Sequence, residues 1–176
     1  MTRAPYQSVI ADLGLMEKLA PYDPIVIGTP PLGIDGPESD IDIACTATSL
    51  EQFAKEASDL LSGAGPVTVK QITKLEDPAV TASLKAQSWD IEIFAQSLPT
   101  AQQWGVRHFL IEQRLLALHK KVRKRIKSIR GQGMKTEPAF AALLELPGED
   151  PYAALLLLEK ESDEQLRQRL RSKGLR

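Results

Sequence analysis

The chain has 176 residues, of which 43% are apolar and 26% charged, and its formal net charge is −1. A domain of this length can bury about 70% of its unfolded surface, so the composition excludes a disordered chain and one that coats nucleic acid through bulk charge. The only cysteine, Cys45, lies in an apolar run, which is typical of a reducing compartment. Because the sequence contains neither a signal-peptide core nor a run of about eighteen apolar residues, we expect a cytoplasmic protein without membrane segments.

The first half of the chain predicts helices alternating with strands. Apolar residues at helical spacing predict helices over 6–20 and 50–61, the second capped by Ser49. Period-two alternation and β-branched runs predict five strands, over 24–28, 40–45, 66–72, 80–85 and 88–95. Three prolines and two glycines predict a loop between the first two strands.

The second half is predicted to be helical. The predicted helices cover 102–130, 137–146, 151–161 and 163–173. Ser162 and Gln165 have the spacing of a capping box at the start of the last one. We therefore expect two domains, an α/β core over 1–98 and a helical subdomain over 99–176 that packs on the core.

Acidic residues recur on two of the predicted strands. Residues two apart in a strand point to the same side, so Asp40 and Asp42 place two carboxylates on one face about 7 Å apart. Like charges this close are costly unless a cation compensates, and Mg²⁺ prefers oxygen ligands. Glu92, in the later run WDIEIF, is a candidate third ligand. The alternative is that these acids only cover the solvated face of an antiparallel sheet.

A glycine and hydroxyl pattern precedes the acid pair. Gly28 and Thr29 close the first predicted strand, and Ser39 follows eleven residues after Gly28, directly before Asp-Ile-Asp. This arrangement resembles the nucleotidyltransferase superfamily. The resemblance implies that Gly28, Thr29 and Ser39 contact phosphate, and that Asp40, Asp42 and Glu92 are the catalytic ligands of Mg²⁺ or Mn²⁺.

A second resemblance covers nearly the whole chain. The strings VIGTPPLGIDGPESDIDIAC, IEIFAQ, QWGVRHFLIEQRLL and GMKTEPAFA are similar to a bacterial, nucleotidyltransferase-like domain of unknown function, number 4269. That resemblance implies an α/β (α+β) fold, in which a mixed β-sheet with flanking helices is followed by a C-terminal helical bundle. It implies no particular reaction.

The loop between Thr29 and Ser39 contains no basic residue, and its prolines remove two potential N–H donors. We therefore expect phosphate-binding cations from the helical half. Arg107, His108 and Lys135 are the candidates, with Lys135 just before a predicted helix start.

Each of these candidates has a simpler interpretation. His108 and Glu112 are four residues apart and fall on the same helix face, so a local contact between them is one alternative, with Arg107 a surface arginine. Capping by Thr136 or Glu137 would explain the motif that contains Lys135.

The segment 120–130 carries seven lysines and arginines and no acid. Such a stripe attracts the phosphates of RNA, but a solvated helix face is the simpler explanation.

We therefore expect a metal-dependent nucleotidyltransferase that moves a nucleoside monophosphate from an NTP to an unidentified acceptor. The alternative is a non-catalytic module on the same fold, which binds nucleotide or RNA, or binds a protein partner as in a toxin–antitoxin pair.

Overall fold

The computed structural model describes residues 3–73 and 77–175 and shows an α/β protein built on one five-stranded mixed sheet. The strands are β1 Ile25–Ile27, β2 Ile41–Thr46, β3 Val67–Ile72, β4 Ala79–Ala86 and β5 Trp89–Gln96. The first four helices are α1 Tyr6–Asp12, α2 Leu15–Leu19, α3 Thr29–Leu32 and α4 Leu50–Leu61. The remaining helices are α5 Trp104–Leu118, α6 Lys120–Arg130, α7 Thr136–Leu144, α8 Pro151–Leu156 and α9 Asp163–Ser172. Within the described ranges, no helix is both long and apolar enough to cross a membrane.

The order of the strands places the two acid-bearing ones side by side. The sheet runs β1-β2-β5-β4-β3, with β2 and β5 parallel and every other neighbouring pair antiparallel. The β4–β5 hairpin turns through Gln87 and Ser88, both at positive φ, which matches the right-handed twist of the flanking strands. The predicted mixed sheet is confirmed.

The two faces of the sheet differ in polarity because successive side chains point to opposite sides. Ile43 and Ile93 are fully buried in an apolar core that also contains residues of α1, α2 and α4. The alternate positions Asp42 and Glu92 lie on the other face. The pattern of the sequence therefore directs the acids away from the core.

Several helix boundaries follow the predicted caps. The Ser49 side chain accepts a hydrogen bond from the backbone N–H of Gln52. Ser162 and Gln165 form the reciprocal capping box. Both predictions are confirmed, because a cap depends only on residues within one turn.

Other predicted boundaries were wrong. Gly14 adopts a left-handed conformation and divides the helix predicted over 6–20 into α1 and α2. The helix predicted over 102–130 is interrupted at His119, whose backbone is extended. The His119 side chain caps α6, because its Nδ1 accepts a hydrogen bond from the N–H of Lys121. The N-cap residue of α7 is Lys135 rather than Thr136 or Glu137.

The chain divides into two compact units. The first contains Met1–Pro31 and Pro37–Val106, and the second contains Leu32–Gly36 and Arg107–Arg176. The domain boundary predicted after residue 98 stays a prediction.

Candidate functional site

The parallel pairing of β2 with β5 sets the positions of the acids. Asp42 and Glu92 are directly opposite each other in the register of these two strands. Asp40 lies immediately before β2 and lines the same surface groove as Glu92. The structure therefore places Asp42 beside Glu92 on neighbouring strands, and Asp40 beside Glu92 along the groove.

Glu92 has an unfavourable environment for its negative charge. Partial burial raises the pKa of its carboxyl group, and the nearby charge of Asp40 raises this pKa further, whereas Lys70 on β3 opposes both effects. Asp40 and Glu92 are both exposed, so solvent moderates the repulsion. A cation bound at these carboxylates would remove it.

Gly28 makes room for the carboxylate of Asp42. Its φ of +81° is a left-handed conformation that favours glycine, and a Cβ atom there would lie 3.3 Å from Asp42 Cγ and closer still to Asp42 Oδ2. Ile27, the residue before it, pairs with Asp42 in the β1–β2 register. A larger residue at position 28 would displace the carboxylate.

Thr29 and Ser39 are in direct contact. The Thr29 hydroxyl donates a hydrogen bond of 2.8 Å to the Ser39 hydroxyl, and both side chains are buried. Thr29 begins α3, and Ser39 precedes Asp40. The structure therefore brings the predicted phosphate contacts Gly28, Thr29 and Ser39 together with the acids.

An open groove of about 480 Å³ lies beside Asp40 and Glu92. It extends over β5 and β4 to β3, and its polar lining includes Thr68, Ser83, Lys85 and Asp90. Lys85 forms an ion pair of 2.8 Å with Asp90. The groove offers hydroxyl and charged groups next to the acids, as a polar ligand requires.

The donor chemistry of the acids fits Mg²⁺ or Mn²⁺, since all three ligands are carboxylate oxygens. Gly28 supplies the space that the Asp42 carboxylate needs. Among the described residues, no group of three or more His, Cys, Asp and Glu side chains is already arranged to hold a metal ion. The metal assignment stays a proposal.

Arg107 and His108, two of the predicted phosphate contacts from the helical half, already have protein partners. Arg107 contacts Glu159 through two hydrogen bonds of 2.9 Å and 2.6 Å, and this partner raises the pKa of the guanidinium. His108 is buried, with Nε2 2.9 Å from the carbonyl oxygen of Tyr152. Their predicted roles in phosphate binding stay predictions.

Lys135, the third predicted cation, is exposed and directly precedes α7. Glu112 is buried on α5, and its Oε1 has no hydrogen-bond partner among the described residues. Burial raises the pKa of Glu112 well above its ordinary value, and the charge of Glu137 raises it further. Glu112 is therefore a buried acid whose neutral form the surroundings favour.

Two arginines of α6 have a role that the sequence did not indicate. Arg123 donates to the carbonyl oxygen of Leu32, and Arg130 donates to that of Ile34, both within the second unit. Hydrogen bonds to distant backbone carbonyls leave no pattern in residue spacing. The basic segment 120–130 thus includes two side chains that bind the backbone of the segment Leu32–Gly36.

Comparison with solved structures shows the same fold in larger proteins. A structure of the Cid1 poly(U) polymerase with MgGTP bound has a TM-score of 0.57 at 12% identity, over 88% of this chain and 48% of that one. A structure described as a cytoplasmic RNA terminal U-transferase has a TM-score of 0.54 at 12% identity, over 88% of this chain and 46% of that one. This chain thus spans about half the length of these proteins, and the identities support a nucleotidyltransferase-like fold alone.

Sequence comparison gives a family. No curated protein sequence matches the chain significantly. A family model described as "Domain of unknown function (DUF4269)" matches residues 8–158, which is most of the sequence. The chain therefore belongs to the DUF4269 family, and its fold is nucleotidyltransferase-like.

Proposed function

We propose that this protein is a metal-dependent nucleotidyltransferase, which transfers a nucleoside monophosphate from an NTP to an acceptor. The observation that carries the proposal is the direct pairing of Asp42 with Glu92 across two parallel strands, with Asp40 close enough to raise the pKa of Glu92. Acids held together in this way cost stability, and such arrangements are concentrated at functional sites.

In the proposed reaction, an oxygen of the acceptor attacks the α-phosphorus of the NTP, and pyrophosphate leaves. Asp40 and Asp42 would hold the metal, with Glu92 completing the shell on the side of the groove. Bound Mg²⁺ or Mn²⁺ would supply positive charge to neutralise the phosphates and orient the reacting oxygens. Gly28, Thr29 and Ser39 would bind and orient the phosphates, and Glu92 would favour loss of the proton from the acceptor oxygen.

The fold neighbours support an NTP as the donor. One Cid1 structure contains MgGTP and another contains a UTP analogue. At 12–14% identity these ligands belong to those proteins. They make nucleoside triphosphates the first donors to test.

Lys135 is the strongest candidate among the proposed phosphate-binding cations. It is exposed and forms no ion pair with any described residue, whereas Arg107 would first have to leave Glu159. His108 is only 4% exposed, so it would help to position the substrate without contacting the phosphates itself.

RNA is one acceptor that the charge distribution favours. Six cations of α6 are exposed, namely Lys120, Lys121, Arg123, Lys124, Arg125 and Lys127. Together they form a surface that the RNA backbone could approach through counterion release. Without catalysis, the same features would support a nucleotide- or RNA-binding module, or a module that binds a protein partner.

Thermal unfolding with each of the four NTPs, with and without Mg²⁺ or Mn²⁺, tests the proposal. An NTP at about 100 times its Kd adds about 2.7 kcal/mol of stability, which raises the Tm by several degrees in a protein of this size. We expect a metal-dependent rise in the wild type that Asp40→Asn and Asp42→Asn abolish. Asp59→Asn, which changes an exposed acid on α4, should retain it.

Release of pyrophosphate with RNA or small hydroxyl compounds as acceptors would then identify the reaction. A wild type that gains no stability from any NTP would contradict the proposal and leave the binding modules as the alternatives.

A further inference from the structure

Arg3 forms hydrogen bonds with the backbone just before the proposed metal ligand Asp40. Its Nη1 donates hydrogen bonds of 3.0 Å to the carbonyl oxygen of Pro37 and 2.7 Å to that of Ser39. One guanidinium nitrogen thus joins two carbonyls that are two residues apart. This contact fixes the path of the chain up to Asp40.

The guanidinium of Arg3 is itself held in place. Its Cζ lies 3.3 Å from the centroid of the Trp89 ring, and the indole N–H of Trp89 donates a 2.9 Å hydrogen bond to the carbonyl oxygen of Ala4. Trp89 is only 4% exposed and begins β5, the strand that also carries Glu92. Arg3 therefore ties the segment before Asp40 to the strand of the third acid.

Ser39 is held from two sides as a result. Its hydroxyl accepts from Thr29, and its carbonyl oxygen accepts from Arg3. Because the peptide bond between Ser39 and Asp40 is planar, fixing the Ser39 carbonyl also fixes the orientation of the Asp40 N–H. The direction of the Asp40 side chain depends on this peptide.

We propose that Arg3 is a positioning residue of the acid site, which acts through the Ser39 carbonyl to hold Asp40 in place for the metal. Arginine suits this role because its planar guanidinium can stack on an indole while its N–H groups donate in the plane. A lysine keeps the charge but loses the stacking. The inference rests on the proposed function, since it assumes that Asp40 binds the metal.

Two measurements on the full chain test it, with Arg3→Lys and Arg3→Ala as the variants. Arg171→Ala is the matched control, because Arg171 is an exposed arginine paired with Glu164 on α9. Hydrogen–deuterium exchange should increase in the peptide over 37–42 in both Arg3 variants and stay unchanged in the control. The Kd of Mn²⁺, measured by electron paramagnetic resonance, should rise about tenfold, as for other residues that support metal ligands.

The two proposals fail in distinguishable ways. If the wild type binds Mn²⁺, Asp42→Asn does not, and the Arg3 variants bind it like the wild type, the role of Arg3 is overturned and the proposed function stands. Unchanged exchange over 37–42 overturns the role of Arg3 as well. If the wild type binds no Mn²⁺ with or without NTP, the proposed function fails and the inference fails with it.

Discussion

The ion pairs of the helices differ from the acids Asp40 and Glu92 at the sheet. In the second unit, Arg107 contacts Glu159 at 2.6 Å, and Arg114 contacts Asp163 at 2.7 Å. On the sheet, the charge of Asp40 raises the pKa of Glu92, and neither acid has an ion-pair partner among the described residues. Paired charges contribute to stability, whereas neighbouring like charges reduce it. The helical ion pairs thus stabilise the structure, whereas the repulsion between Asp40 and Glu92 supports the proposal that these two acids bind a cation.

Substitution at Gly28 should have the largest effect. Gly28→Ala forces a left-handed conformation on alanine and moves the Asp42 carboxylate, so we expect a loss of roughly 1–3 kcal/mol in the free energy of unfolding. Gly148→Ala is the matched control, since Gly148 also has a positive φ but an added Cβ would meet open space.

Urea unfolding of both variants gives the cost in stability, and thermal shift with NTP and Mn²⁺ gives the effect on binding. Both should lose stability, but only Gly28→Ala should lose the metal-dependent shift. Equal shifts in the two variants would show that the contact between Gly28 and Asp42 has no role in binding.

Breaking a helical ion pair should have a smaller effect. We expect Glu159→Gln to destabilise the protein by about 0.5–1 kcal/mol at pH 7, because the pair with Arg107 is partly exposed. Arg107 lowers the pKa of Glu159, so this contribution is present above the unfolded pKa near 4.5 and is lost as the pH falls through the folded value. Urea unfolding at pH 7 and pH 3 checks this. A loss that persists unchanged at pH 3 would exclude the ion pair as its cause.

Neutralising an acid of the sheet should have the smallest effect, with the opposite sign. The pKa of Glu92 is raised, so its contribution to stability is fully present below the unfolded value of about 4.5 and is lost as the pH rises through the folded pKa. Glu92→Gln should therefore increase the Tm at pH 7, by about 1–3 °C for an exposed group, and leave it unchanged near pH 3.5.

The control for Glu92→Gln is Asp90→Asn on the same face of β5, because Asp90 is paired with Lys85. It should not raise the Tm. Differential scanning calorimetry without metal measures both changes. A lower Tm of Glu92→Gln at pH 7 would show that the repulsion between Asp40 and Glu92 does not reduce stability. It would also contradict the contrast between these two acids and the helical ion pairs.

Local features of the fold could be predicted from the sequence. The Ser49 cap and the Ser162–Gln165 capping box depend on residues within one turn, and the period-two pattern of β2 and β5 directs their acids to one face. The resemblance to nucleotidyltransferases implied that Thr29 and Ser39 both contact phosphate, and the structure shows their hydroxyls in contact.

Features that depend on distant residues could not be predicted in this way. Hydrophobic periodicity continues through residue 119, so only the backbone conformation of His119 shows where α5 and α6 separate. The pairing of Asp42 with Glu92 is a matter of register between strands, which alternation within either strand does not determine. The carbonyl oxygens that accept hydrogen bonds from Arg3 are more than thirty residues away along the chain.

The parallel pairing of β2 with β5 also has a consequence for the order of folding. The β4–β5 hairpin closes through two residues, whereas Asp42 and Glu92 are fifty residues apart along the chain. Closing a long loop costs more entropy and slows the formation of its contacts. We expect the acids to meet only after the local hairpin has formed, so a partly folded chain would have two interior strands of the sheet paired before it had any binding site.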